Sequence, residues 1–131
     1  MTADMTIPDS FIDLIAQVES GGRLTVIGDK HLAAKAYGIL QIRQPCLDDF
    51  NRWNGTNHSA KDMLGNKELS YTVFRGYMRI YATEARLGHQ PTYEDMARIW
   101  NGGPRGYMKT STVGYAEKLR KVALAADFKL V

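Results

Sequence analysis

A single cysteine, Cys46, occurs among the 131 residues, and it limits what can hold a chain like this together. No intrachain disulfide can form, and neither a cysteine framework nor a cysteine-rich zinc site can be built. Packing must carry the fold. For this length roughly 6,900 Å² stays exposed of about 21,000 Å² in the unfolded chain, so about two-thirds of the surface can be buried. With 44% hydrophobic residues, that is enough for a core without staples. No repeat, low-complexity tract or Pro/Ser-rich linker interrupts the chain, so a single domain over residues 1–131 with short ragged ends is expected.

The periodicity is mostly helical. Pro8, Asp9 and Ser10 give a start signal, Phe11, Ile12, Leu14, Ile15 and Val18 follow at helical spacing, and Gly21-Gly22 stops the run. Glu19 is thereby placed at a helix C-terminus. Residues 24–27 form a short β-branched run and residues 37–42 a second apolar stretch, which reads as a small hairpin or irregular loop. Pro45 opens a helix through Phe50 and Trp53 that ends near Asn54-Gly55. One longer helix is expected over residues 66–87, stopped by Gly88. Thr92 with Asp95 three residues on gives a capping-box start for a helix that ends at Asn101-Gly102-Gly103-Pro104. A last helix covers residues 112–127. The expectation is a mainly helical α+β fold of about five helices with a minimal β-hairpin or irregular loop.

Composition excludes several classes. Residues 1–9 carry Asp4 and Asp9 and no apolar run, which does not read as a secretory signal, and no stretch approaches eighteen apolar residues. A net charge of +3 favours an anionic partner such as nucleic acid or a wall polymer without selecting one. Arg75, Arg79, Arg86 and Arg98 with Tyr71, Tyr77 and Tyr81 could be drawn as a nucleic-acid surface, but no reading motif accompanies them, and a solvated helix face is the simpler account. His31, His58 and His89 lack ligand spacing, so no metal or other cofactor is expected. Cys46 beside Pro45 shows no sign of activation and reads as a small apolar filler.

The chemistry concentrates elsewhere. Glu19 follows an apolar helix and precedes Ser20-Gly21-Gly22. There the negative end of the helix dipole and a partly dry setting would both raise its pKa toward that of a general acid; on position alone it also reads as a solvated surface glutamate. Asp29 lies ten residues on in a Gly-Asp-Lys turn. Two carboxylates on separate elements facing one groove suit glycoside hydrolysis, while Asp after Gly is equally a turn former. Gln41, an amide among apolar residues, needs partners, either backbone groups or sugar hydroxyl and acetamido groups.

Taken together, Glu19-Ser20-Gly21, Tyr37-Gly38-Ile39-Leu40-Gln41-Ile42, the run Ala97-Arg98-Ile99-Trp100-Asn101-Gly102-Gly103-Pro104-Arg105-Gly106 and Ser111-Thr112-Val113-Gly114-Tyr115 occur in the order of a family, the last two with its spacing as well. The chain resembles invertebrate-type (destabilase-like) lysozymes over about residues 12–122. More distantly it is similar to soluble lytic transglycosylases and goose-type lysozymes of the lysozyme-like superfamily. The resemblance implies a lysozyme-like fold with a groove for peptidoglycan or a related amino-sugar polymer. It implies Glu19 as proton donor and Asp29, the only acid between Glu19 and the Gly-x-x-Gln motif, as second carboxylate. Tyr37 and Gln41 would line the groove beside the acid, with Asn101, Gly102 and Tyr115 on its far side, and Trp100 either stacking on a sugar or filling the core.

Two departures from the family stand out. Its cysteines are replaced, by Gly22, Ala36 and Tyr107 among others, so the stabilising scheme differs. The family's basic His before Asn-Gly-Gly-Pro is Trp100 here, so isopeptidase side activity is not expected. The resemblance therefore implies a muramidase, expected as a monomer with no nucleic-acid partner and no membrane span, that acts on the cell wall outside the cytoplasm. The missing leader fits a mature secreted form or phage-type export. A lytic transglycosylase is the enzymatic alternative, and a catalytically silent glycan-binding domain the non-enzymatic one.

Overall fold

A computed structural model describes residues 7–130; Asp4 and the rest of the first six residues lie outside that range. Among the described residues the elements run α1 (Asp9–Ser20), β1 (Ile27–Gly28), β2 (Ala36–Tyr37), α2 (Gln44–Asn54), α3 (Lys67–Tyr81), α4 (Glu84–Leu87), α5 (Tyr93–Gly102) and α6 (Val113–Ala125). Single 3-10 turns occupy Ala60–Met63, Gly106–Met108 and Thr110–Thr112. The hairpin is minimal and antiparallel, with Ile27 opposite Tyr37 and Gly28 opposite Ala36. No described helix is long and apolar enough to cross a membrane.

The core forms where the apolar stripes of α1, α3, α5 and α6 meet. Phe11 and Ile15 of α1, Phe74 of α3, Ile99 of α5 and Leu119 of α6 are all fully buried. Phe11 stacks on Tyr93 at 4.3 Å between ring centroids and meets Phe74 edge-on at 6.2 Å. Helices α2 and α3 approach closely at Gly76, where a Cβ would fall 2.3 Å from the Phe50 ring. Where the family resemblance would place cysteines, Ala36 packs into the core and half-buried Tyr107 donates its hydroxyl to the Arg86 carbonyl at 3.3 Å. Noncovalent contacts occupy those positions.

The single helix expected over residues 66–87 is in fact two. Ala82 leaves helical geometry at φ −97° and ψ 70°, and the Thr83 hydroxyl accepts the Arg86 backbone N–H at 3.2 Å as the cap of α4. Arg86 then donates to the Tyr81 carbonyl at 2.8 Å, satisfying an acceptor freed at the end of α3. The expected starts and stops elsewhere lie within a few residues of those observed. The Thr92 capping box closes reciprocally, with both Thr92–Asp95 hydrogen bonds at 3.0 Å.

The arginines expected on a solvated face are largely tied down. Arg75 donates to the Ile7 carbonyl at 3.0 Å and pairs with Asp9. Arg98 donates to the Thr112 hydroxyl at 2.8 Å and the Lys109 carbonyl at 2.7 Å. These guanidiniums join segments of the chain.

Candidate active site

Glu19 is the penultimate residue of α1. The helix stops because Gly21 turns left-handed at φ 67°, and its N–H bonds the Gln17 carbonyl at 3.1 Å, a glycine C-cap. Ser20 is buried and donates its hydroxyl to the Ile39 carbonyl at 2.7 Å. That bond fixes the helix end carrying Glu19 to the Gly38-Ile39-Leu40-Gln41 turn.

The turn is itself built around backbone contacts. Gly38 has φ 80°, and a Cβ there would lie 2.5 Å from the Met63 carbonyl oxygen, so only glycine fits. Gln41 adopts φ 54° and donates its amide to the carbonyls of Val26 at 3.1 Å and Gly38 at 2.9 Å. Its Oε1 lies where a side chain at residue 28 would begin, so Gly28 is what lets the amide fold over β1. Gln41 therefore holds the hairpin in shape while bordering the cleft.

The cleft, of about 580 Å³, is bordered by Glu19, Asp29, Gln41, Trp100 and Asn101 among the residues singled out in the sequence. Arg43, Asp49, Tyr77, Pro45, Cys46, Gly103 and Pro104 also line it; none of these was singled out for the site. Tyr37, Gly102 and Tyr115 do not line it. Tyr37 is bound into the hairpin, its N–H on the Ile42 carbonyl at 2.9 Å, and packs on the core. Gly102 faces the 106–112 segment, where a Cβ would meet the Thr112 methyl at 2.5 Å.

Tyr115 reaches the site from behind, donating its hydroxyl to Glu19 Oε2 at 2.8 Å. It is buried, and both burial and the adjoining carboxyl push its own ionisation well above the usual value of 10, so it remains a donor.

Burial is also the main influence on Glu19, raising its carboxyl from 4.5 to about 7. The Tyr115 hydrogen bond and the positive charges of Arg43 and Lys118 oppose that rise, and Asp29 adds to it. Near neutral pH Glu19 thus holds a proton it can give up, as a general acid requires.

Asp29 stands in the turn after β1 at φ 51°, and its half-exposed carboxylate forms an ion pair with Arg43. Arg43 also donates to the Ala34 carbonyl at 2.6 Å, which ties the 29–34 loop to the start of α2. The site sets a sheltered, protonatable carboxyl and an ion-paired carboxylate on one cleft, the division of labour seen in carboxylate pairs with different environments.

The remaining walls are mixed. Trp100 packs against Phe74 at 4.9 Å and edge-on to Tyr77 at 5.7 Å, so the ring that borders the cleft is also a core ring. Burial pushes the Cys46 thiol up to about 12, which keeps it protonated and unreactive. Asp49 accepts from Arg52 at 2.7 Å and from the Tyr81 hydroxyl at 2.9 Å. Among the described residues no group of three or more His, Cys, Asp or Glu is arranged to hold a metal.

No family model matches the chain. It is 32% identical to a lysozyme of Meretrix lusoria over 113 residues, covering 86% of this chain and 87% of that protein. A lysozyme of Magallana gigas is 33% identical over 120 residues, covering 90% of this chain and 82% of the relative. An invertebrate-type lysozyme of Ruditapes philippinarum is 29% identical over 108 residues, 82% of this chain and 76% of its own length. Among solved structures, the fold superposes on Meretrix lusoria lysozyme in complex with Aeromonas hydrophila PliI with a TM-score of 0.77 at 28% identity, covering 94% of this chain and 96% of that one. Tapes japonica lysozyme follows with a TM-score of 0.76 at 26% identity, covering 93% and 95%.

Proposed function

The chain belongs to the invertebrate-type lysozymes, and from that premise we propose that Glu19 is the proton donor with which it cleaves peptidoglycan. The bond broken is the β-1,4 linkage between N-acetylmuramic acid and N-acetylglucosamine. The observation that carries the assignment is the state of Glu19: sheltered, hydrogen-bonded by Tyr115, and raised to about 7 on the wall of the cleft. In that state it protonates the leaving glycosidic oxygen at neutral pH. Asp29, ion-paired with Arg43 and bordering the same cleft, stabilises the oxocarbenium-like centre that develops as the bond opens. The chain's net charge of +3 suits an anionic wall polymer. Peptidoglycan lies outside the cytoplasm, so the enzyme acts there.

Clearing of purified peptidoglycan, with mass analysis of the products, tests the reading. Glu19→Gln should abolish clearing and retain binding; clearing at the original rate would overturn the assignment. Reducing sugar ends among the wild-type products indicate hydrolysis, and 1,6-anhydro ends the transglycosylase reaction. Asp29→Asn should slow hydrolysis strongly, whereas an unaffected variant assigns the attack to the muramoyl C6 hydroxyl.

A further inference from the structure

Trp53 is the most exposed aromatic residue of the described chain, with 67% of its surface open. Among the described residues its ring stacks on no other ring and its indole N–H meets no hydrogen-bond acceptor, while its surface is open to solvent. Tryptophan left this open on a helix needs a reason, because covering its faces with any apolar surface is favourable.

Its position on α2 supplies one. Three residues of α2, Pro45, Cys46 and Asp49, line the cleft. At 3.6 residues per turn each step rotates about 100°, so with Pro45 at zero, Asp49 falls at about 40°, Trp53 at about 80° and Cys46 at about 100°. Trp53 therefore lies inside the arc of the cleft-facing residues, about 6 Å further along the axis than Asp49. Trp53 itself does not line the cleft; helix geometry sets it one turn beyond Asp49 on the same side of α2.

The surroundings of Trp53 select among occupants. Its sequence neighbours Arg52, Asn54 and Thr56 are polar and exposed, and the other exposed large hydrophobic residues, Leu24, Leu32, Met108, Val113 and Leu124, lie outside α2. A lone aromatic within a polar rim is too small for a protein interface, which needs a contiguous patch. It matches a pyranose ring, whose C–H face is apolar and whose edge carries hydroxyl and acetamido groups. Trp100 cannot offer the same open face, because it is packed against Phe74 and Tyr77 and its N–H points to the Leu40 carbonyl at 3.4 Å.

We propose that Trp53 is an outer stacking platform for the amino-sugar polymer, engaging a sugar beyond the cleft where the α2 wall ends. This rests on the glycan-cleaving reading of the same cleft, and it makes the enzyme favour long chains over short ones.

The test compares N-acetylglucosamine oligomers of three and six units with purified peptidoglycan, using wild type, Trp53→Ala and Trp53→Tyr. Covering part of an indole face is worth about tenfold in affinity, so Trp53→Ala should raise KM for the hexamer and the polymer by about tenfold. The trimer should be affected much less, and Trp53→Tyr should restore most of the loss. With the Glu19→Gln protein, saturating hexamer should protect Trp53 from iodide quenching of its fluorescence. Equal KM values for hexamer in wild type and Trp53→Ala, or quenching unchanged by hexamer that is bound, would overturn the platform. The cleavage reading itself fails on a different result, wild type that cleaves none of these substrates or Glu19→Gln that still cleaves them.

Discussion

Replacing Tyr115 by Phe removes one oxygen from the protein and nothing else. That oxygen donates to Glu19 Oε2 at 2.8 Å and favours the ionised carboxylate. Raising a carboxyl from 4.5 to about 7 corresponds to about 3 kcal/mol against its charged form. The hydrogen bond works in the other direction, and a bond to a charged group contributes roughly 1.5–3 kcal/mol. A water entering from the cleft would recover part of this, leaving a net loss of about 1.4 kcal/mol, or about one pH unit. In Tyr115→Phe the carboxyl should therefore hold its proton to higher pH. The assay is the pH dependence of kcat/KM on a soluble oligomer at constant ionic strength, where the alkaline limb reports the general acid of the free enzyme. That limb should move from about 7 in wild type to about 8. The rate on the acidic side should fall about tenfold, because the carboxyl loses the group that orients it. Near-ultraviolet circular dichroism of the variant should match wild type. An alkaline limb that stays in place, or moves to lower pH, would refute the role given to the hydroxyl.

Two further outcomes follow from the same structure. Glu19 is neutral in both folded and unfolded chains below 4.5 and must ionise while buried above about 7; its raised folded-state value thus costs stability as pH climbs through that window. Glu19→Gln, which never ionises, should match wild type in urea denaturation near pH 4 and exceed it by up to about 3 kcal/mol near pH 8; an equal difference at both pH values contradicts the burial. With Cys46 as the only thiol, thermal unfolding should be the same with and without reductant, and a large drop in midpoint on reduction would refute a core held by packing alone.

What the sequence made legible follows from local rules. The apolar spacing of α1 places Glu19 at a helix end, and the Thr92–Asp95 pair announces α5 through a box four residues long. The break between α3 and α4 is not legible in the sequence because Ala82 is an ordinary helix former, and only Thr83 capping and the reach of Arg86 to Tyr81 decide it. The site's supporting contacts are remote in sequence: Ser20 to Ile39 spans 19 residues, Arg43 to Asp29 spans 14, and Tyr115 to Glu19 spans 96. Periodicity is silent on such pairs. For the same reason the sequence places Tyr115 on the far side of the groove, whereas its hydroxyl reaches the acid from the buried side. Arg43 carries one legible signal, a cation two residues after the Gly-x-x-Gln motif and two before the proline in the first turn of α2.

The packing of α6 onto α1 has a consequence for synthesis. Residues 113–119 leave the ribosome about a hundred residues after the segment that carries Glu19, and domains form as their parts emerge. Until α6 arrives, Glu19 lacks the helix that supplies Tyr115 and Lys118. The acid is thus placed early in synthesis, and the hydroxyl that orients it is added only by the docking of one late helix.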